Sequence, residues 1–363
     1  MERISTHQFL TLGAAVLMGG TFLPVSSAVT GVGGRDGWMS VLPGFATGIP
    51  YGLMVLSLVE QYPRKTLLHI SEILFGKWIG KIIGVLYILI MGYYGGLVLG
   101  EVGDMYEVAA MPLVPISVFF LGGMLLVFFL VRSGVEVFAR FSEVIFPVIV
   151  IALLLNVGLA IPRIEQGELL PIFSEGLKPL FLAGINVVPF AMTYILFLAG
   201  IAALLPTGKQ ELGKLKSGVW RAVLLVGILN TLVVLIQILV FGPTETVRLG
   251  YGILVLGKLV EISRTLAGIE SIFLGIWLGA LVLKISSCFF AVAWGLETVF
   301  SLKGFKWNLA VSIVFLVIAF QFTRGPFLIR EIGLAGKYLI FPFAFVWIPS
   351  LWGVARWKNR TGV

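Results

Sequence analysis

Residues 17–28 read LMGGTFLPVSSA. They fall inside the first of many apolar runs, and they cannot continue a regular helix. Gly19 and Gly20 are adjacent, and Pro24 both lacks an amide donor and crowds the carbonyl of residue 20. Unwound backbone inside hydrocarbon is tolerated only where protein or a polar cavity surrounds its freed N–H and C=O groups. What the break means therefore depends on whether the run lies in lipid.

Composition answers that. Of 363 residues, 59% are hydrophobic and only 12% charged, with a mean hydropathy of +1.05. A soluble chain of this length needs far more polar surface to cover its core. Apolar runs of about 20 residues, enough for a helix to cross the bilayer, recur along the whole chain. The chain reads as an all-α, multi-pass integral membrane protein with the lipid bilayer as its solvent. A signal-peptide reading of the first run, with Arg3 before it and VSSA near its end, is set aside because so many spans follow.

Ten spans are expected, near 8–30, 38–60, 79–106, 113–131, 140–161, 177–204, 219–242, 269–300, 307–322 and 336–355. With both termini in the cytoplasm, 16 of the 26 Lys and Arg fall inside and nine outside, leaving Lys284 unassigned. That is the orientation the positive-inside rule favours. The net charge of +8 is thus topological, and no nucleic acid partner is implied. The single cysteine, Cys288, excludes an internal disulfide and a CxxC metal or redox pair. The two histidines, His7 and His69, are far apart near membrane borders, so neither a catalytic constellation nor a metal site is expected. The chain is not read as an enzyme, and no cofactor is called for.

The sixth span carries a second candidate break, LAGINVVPFAMTYILFLAG, with Gly184, Asn186 and Pro189 close together. Either interruption alone is read as a kink. Paired interruptions at the start of each half of a ten-span chain point instead to inverted repeats around a central site. Repeat one would cover about 8–161 and repeat two about 177–355, within one membrane domain spanning 1–363. In the third span Gly92, Gly96 and Gly100 form a small-residue stripe for close helix packing. Tyr87 and Tyr94 share a face there, with Tyr93 beside it. Asn230 and Gln237 in span seven read as bonds between helices. RKTLLHISEILFGKWIGK, 64–81, reads as one amphipathic helix along the cytoplasmic surface, with His69 solvated on it. ETVRLGYGILVLGKLVEISRTL, 245–266, has the same character on the outer side.

The eighth span poses the sharpest question. Residues 274–295 read LGIWLGALVLKISSCFFAVAWG, one lysine in an otherwise uncharged run. Lys284 is about ten residues, roughly 15 Å, from either end, too far for its stem to carry the ammonium to the headgroups. A charge at mid-membrane costs at least ~2.5–3.5 kcal/mol. Lys284 is therefore expected to face a wet or carbonyl-lined cavity, with Leu283 and Ser287 on nearly the same helix face.

Several stretches together resemble the B-subunit family of bacterial spore germinant receptors, the spore permease branch of the amino acid–polyamine–organocation superfamily. These are FLPVSSAVTGVGGRDGWMSVLPG (22–44), LFGKWIGKIIG (74–84), GPTETVRLGYGIL (242–254) and GIESIFLGIWLGALVLK (268–284). The Leu23-Pro24 pair, Asp36-Gly37-Trp38, and Glu270, Ser271 and Trp277 match in order and spacing. The resemblance implies the LeuT-type fold of two five-helix inverted repeats with broken helices 1 and 6. It also implies a nutrient-sensing subunit that binds a small molecule, typically an amino acid, and works with companion receptor subunits in the inner membrane of the spore to trigger germination. The alternative is a proton-coupled amino acid permease of the same superfamily in the bacterial plasma membrane. The chain departs from the family pattern at Leu17, where relatives often carry an earlier glycine, and at Tyr194, where many carry a glutamate.

The family's pocket lies among spans one, three, six and eight. Candidate ligand contacts are the backbone at Met18, Gly19, Gly20 and Thr21, the side chains of Asn186, Thr193 and Tyr194, Tyr93 or Tyr94, and Leu283. In related sodium-coupled folds, spans one and eight hold a sodium ion. Lys284, with Ser287, is the candidate for ion or proton coupling: a tethered ammonium on the same carbonyls, released by deprotonation.

Overall fold

The computed structural model describes residues 4–109, 113–173, 176–206, 208–259, 269–322 and 325–361, and among them the only regular structure is helical. In chain order the α-helices are α1 (Thr6–Met18), α2 (Val25–Gly33), α3 (Val41–Ala46), α4 (Gly48–Gln61), α5 (Leu67–Phe75), α6 (Lys77–Ala109), α7 (Ile116–Arg132), α8 (Val135–Ala160), α9 (Leu177–Ile201), α10 (Lys209–Arg248), α11 (Gly252–Leu259), α12 (Ile269–Phe300), α13 (Phe305–Gln321), α14 (Gly325–Ala335) and α15 (Phe341–Thr361). Every span expected from hydropathy coincides with one or more of them. Seven helical stretches among the described residues are long and apolar enough to cross a bilayer, while α7 and α13 are apolar but shorter.

Burial sorts the spans into a centre and a rim. The apolar windows of α9 and α12 are 89% and 78% buried, whereas that of α8 is 33% buried. The rim helices turn Leu121, Leu125, Phe129, Val144, Ile151, Leu155, Ile313 and Val317 outward. A continuous apolar exterior on this scale suits lipid and not water. The inside of the bundle is apolar too, but it holds Glu101, Asp104, Lys284, Thr193, Asn230 and Gln237 at 2% exposure or less.

Ser5 opens α1 with a reciprocal cap, accepting from the amide of Gln8 at 3.1 Å while its own amide donates to the Gln8 side chain at 3.0 Å. Contacts at the helix ends define two faces of the bundle. On the terminal face, Thr6 donates to Glu211, Lys216 pairs with Glu60 at 2.9 Å, and Asn359 donates to Gln61 at 3.0 Å. Both chain ends thus lie on one side. On the far face, the amide of Phe173 donates to Asp36 at 2.9 Å, the amide of Glu165 to the carbonyl of Leu239 at 2.8 Å, and the Tyr251 hydroxyl to Asp104 at 2.5 Å.

Three expectations need correction. The sixth span is not interrupted: α9 is helical from Leu177 to Ile201 with Pro189 inside it. Proline costs a helix one hydrogen bond, but Gly184 is five residues away and supplies no left-handed hinge beside it. The Pro189 ring is also seated against Gly336, where a β-carbon would lie 2.8 Å from it. The amphipathic stretch 64–81 is two helices, because Gly76 (φ +87°) separates α5 from α6. Leu67, Ile70 and Leu74 of α5 are buried, and Ser71 accepts from the indole of Trp347 at 2.9 Å. The periodicity was amphipathic because α5 packs into the bundle; Trp78, beyond the glycine, is 84% exposed. His69 is exposed, with Nδ1 2.9 Å from the Thr66 hydroxyl. On the far side, 245–266 divides into the end of α10, past a hinge at Gly242 (φ +74°) and Pro243, and then α11. Residues 260–266 lie outside the described residues.

The glycine stripe of α6 meets three helices rather than one: Gly92 faces Val292 of α12, Gly96 faces Ile318 of α13, and Gly100 faces Leu328 of α14. Beside it, a β-carbon on Gly95 would lie 2.5 Å from the Phe315 ring and 2.9 Å from Cys288 Cβ. Gly95→Leu is therefore expected to destabilise by about 1–3 kcal/mol through overpacking. Gly122→Leu, where nothing lies within 4 Å, should be nearly neutral. Thermal unfolding of the two variants in detergent, followed by tryptophan fluorescence, checks the contrast.

Candidate functional site

The first span is broken where the sequence places the break. Helix α1 ends at Met18, and α2 begins at Val25. Gly20 has φ +73°, a left-handed conformation that residues with side chains rarely adopt. Across the gap the Thr21 amide and hydroxyl both donate to the Met18 carbonyl, at 3.1 and 2.9 Å. The Val25 amide returns to Thr21 at 3.0 Å. Among the described residues, no backbone carbonyl accepts from the amides of Gly20, Phe22 or Leu23.

Helix α12 presses directly on this break. A β-carbon on Gly19 would sit 2.5 Å from the carbonyl oxygen of Ala280 and 3.1 Å from Lys284 Cβ. That approach sends the lysine stem, one turn on, along the end of α1. Its ammonium is 1% exposed, donates to the Val16 carbonyl at 3.2 Å and to the Thr193 hydroxyl at 2.6 Å, and lies 5.8 Å from the centre of the Tyr94 ring. An ammonium has three protons to place; two find oxygen and the ring face offers a cation–π contact. Thr193 can accept because its own proton goes to Phe190 O, at 2.7 Å. Spans one, three, six and eight thus meet at one nitrogen.

The other candidates divide. The Ser287 hydroxyl donates to the Lys284 carbonyl at 2.6 Å, so it shapes the helix beside the lysine. Leu283 is fully buried. The Tyr194 hydroxyl is buried with no hydrogen-bond partner and stands where a β-carbon on Gly13 would lie 2.8 Å away. Asn186 donates to the Ala28 carbonyl at 3.3 Å, clamping α9 to α2 beyond the break. Tyr93 leaves the cluster: half-buried, it donates to Glu331 at 3.4 Å. Glu270 and Ser271 have side chains outside the described residues, whereas Trp277 is fully buried against Phe22 with ring centres 4.0 Å apart.

One central residue was missed by sequence reasoning. Glu101 of α6 is 1% exposed, and neither carboxylate oxygen has a hydrogen-bond partner. Its Oε2 lies 3.4 Å from where a β-carbon on Gly20 would stand. The signal was available. Glu101 sits seven residues after Tyr94, hence on the same helix face, within an apolar run, as Lys284 does. A pocket of about 440 Å³ lined by Thr30, Arg35, Asp36 and Arg248 includes none of this cluster.

A multi-pass bundle whose first span unwinds against a buried charge has the architecture of a secondary transporter. Solved structures agree on the fold. The chain superposes on the nucleobase-cation-symport-1 family transporter Mhp1, in a closed conformation with bromovinylhydantoin bound, with a TM-score of 0.73 at 12% identity, covering 96% of this chain and 78% of that one. It superposes on MhsT in complex with L-phenylalanine with a TM-score of 0.67 at 16% identity, covering 99% and 90%. Sequence comparison places it more narrowly: residues 3–326 match the spore permease family model, described as spore germination protein, and the chain belongs to that family. Among its relatives in Bacillus subtilis (strain 168), spore germination protein YndE is 25% identical over 277 residues, 74% of this chain and 73% of that one. Spore germination protein KB is 24% identical over 368 residues, covering 99% and 96%.

Proposed function

We propose that the chain is the nutrient-binding subunit of a spore germinant receptor, a non-enzymatic protein with a transporter's architecture that senses an amino acid. The observation that carries this reading is the unwound stretch at Gly19–Leu23, which leaves the amides of Gly20, Phe22 and Leu23 without backbone acceptors beside a polar, fully buried centre. Such donors at the start of a half-helix suit a ligand carboxylate. Two inverted repeats, about 8–161 and 177–355, would move against each other around this centre, and ligand would favour one arrangement. Companion receptor subunits would read that change in the spore inner membrane, with both termini cytoplasmic.

A second reading, a proton-coupled amino acid permease, is favoured by the fold shared with Mhp1 and MhsT. The purified chain, screened against the twenty proteinogenic L-amino acids by thermal stabilisation in detergent, should respond to at least one of them. The same chain in proteoliposomes should bind that amino acid without concentrating it, with or without a pH gradient. Concentrative uptake would make the permease primary, and stabilisation by no amino acid would remove the nutrient-binding reading.

A further inference from the structure

Lys284 of α12 and Glu101 of α6 both lie beside the break, yet they are not equivalent. The ammonium is accounted for by Val16, Thr193 and Tyr94. Among the described residues, the carboxylate has no hydrogen bond and no ion pair. A carboxyl group shut away from water with both oxygens idle is costly, and such groups are ordinarily satisfied. None of its neighbours hydrogen-bonds to it. Asp104, one turn on, is acidic and takes the proton of Tyr251, and Gly20, whose notional β-carbon lies 3.4 Å from Oε2, has no side chain to offer. Near it, at the unwound stretch, the amides of Gly20, Phe22 and Leu23 have no backbone acceptor.

We propose that Glu101 is the seat of a cationic amine on the bound ligand. This deepens the nutrient-binding reading and rests on it. The freed amides at Gly20, Phe22 and Leu23 hold the carboxylate end, and the two Glu101 oxygens accept from the ammonium end. The site therefore selects molecules bearing both charges. A carboxylic acid without the amine leaves Glu101 orphaned, and an amine without the carboxylate leaves the amides orphaned. Glu101 is a specificity-determining residue that touches ligand, whereas Lys284 holds the helix ends in place.

The test uses the full chain in detergent with matched probes: each L-amino acid that stabilises it, the corresponding acid lacking the α-amino group (propionate for L-alanine), and the N-acetylated amino acid. Wild type should bind the amino acid at least ~30-fold more tightly than either derivative, the scale expected when one partner of a buried charge pair is removed. Glu101→Gln should lose that preference, its affinity for the amino acid falling on the order of 30-fold while the des-amino acid binds as before. Wild type that binds the des-amino acid as well as the amino acid overturns the proposal without recourse to any variant. So does Glu101→Gln with unchanged preference. If no amino acid binds wild type, the nutrient-binding reading has itself failed, which is a different result.

Discussion

Lys284→Met should leave the protein folded and abolish its response to nutrient. The methionine keeps the stem that lies along α1 and removes only the charge. Desolvating an ammonium is expensive, and replacing a buried charge by an apolar group of similar shape is often neutral or stabilising by about 1–4 kcal/mol. The loss on the other side is one acceptor left idle at Val16, about 1–3 kcal/mol, since Thr193 keeps its bond to Phe190. The two nearly cancel, so the melting temperature should move by only a few degrees. Function does not cancel. The ammonium ties α1, α9 and α12 at a point, and with it gone the freed amides and Glu101 lose their fixed relation. Affinity for the stabilising amino acid should fall about 100-fold, equivalent to ~2.7 kcal/mol. Measuring unfolding and binding on the same sample checks the split. A variant that binds normally would show that the lysine is dispensable to the site.

Gly19→Val should do the reverse, lowering stability and binding together. The added atoms would press on the Ala280 carbonyl, already 2.5 Å from a notional β-carbon. Backbone cannot swing aside as a side chain does, so α12 must withdraw from the end of α1. Overpacking of this kind costs about 1–3 kcal/mol, and here it also carries Lys284 Nζ away from Val16. The variant should melt several degrees below wild type and show no stabilisation by any amino acid. A control at Gly275, where nothing lies within 4 Å, should be silent in both measurements.

The parts of this centre that sequence exposed are those set by local chemistry. A glycine pair followed by proline breaks a helix whatever surrounds it, and Gly20 indeed takes the left-handed turn. A lysine amid lipid-compatible residues must turn inward, and it does. Where the outcome depends on packing, the same signals misled. Pro189 stays within a helix because Gly336 of the last span opens a seat for its ring, and nothing near residue 189 in the chain announces that. The repeat at 64–81 was truly amphipathic, but its apolar side met protein and its frame was cut at Gly76. Glu101 was passed over for another reason. Acidic residues near the end of a span are ordinarily loop residues, which outweighed its helical register with Tyr94; the depth of α6 shows that this one is buried.

The ties on the two faces of the bundle include contacts of different strength. On the terminal face they are surface ion pairs such as Lys216–Glu60, whose side chains are 39% and 44% exposed; water competes for each, and they hold by at most about 1 kcal/mol. On the far face Tyr251 and Asp104 are joined out of water, and Asn156 reaches the Ile253 carbonyl at 3.4 Å beside them. Parting those groups strands them in a dry interior. The exposed pairs of the terminal face are therefore the weaker ties, and raising the ionic strength loosens them before it reaches the buried Tyr251–Asp104 contact.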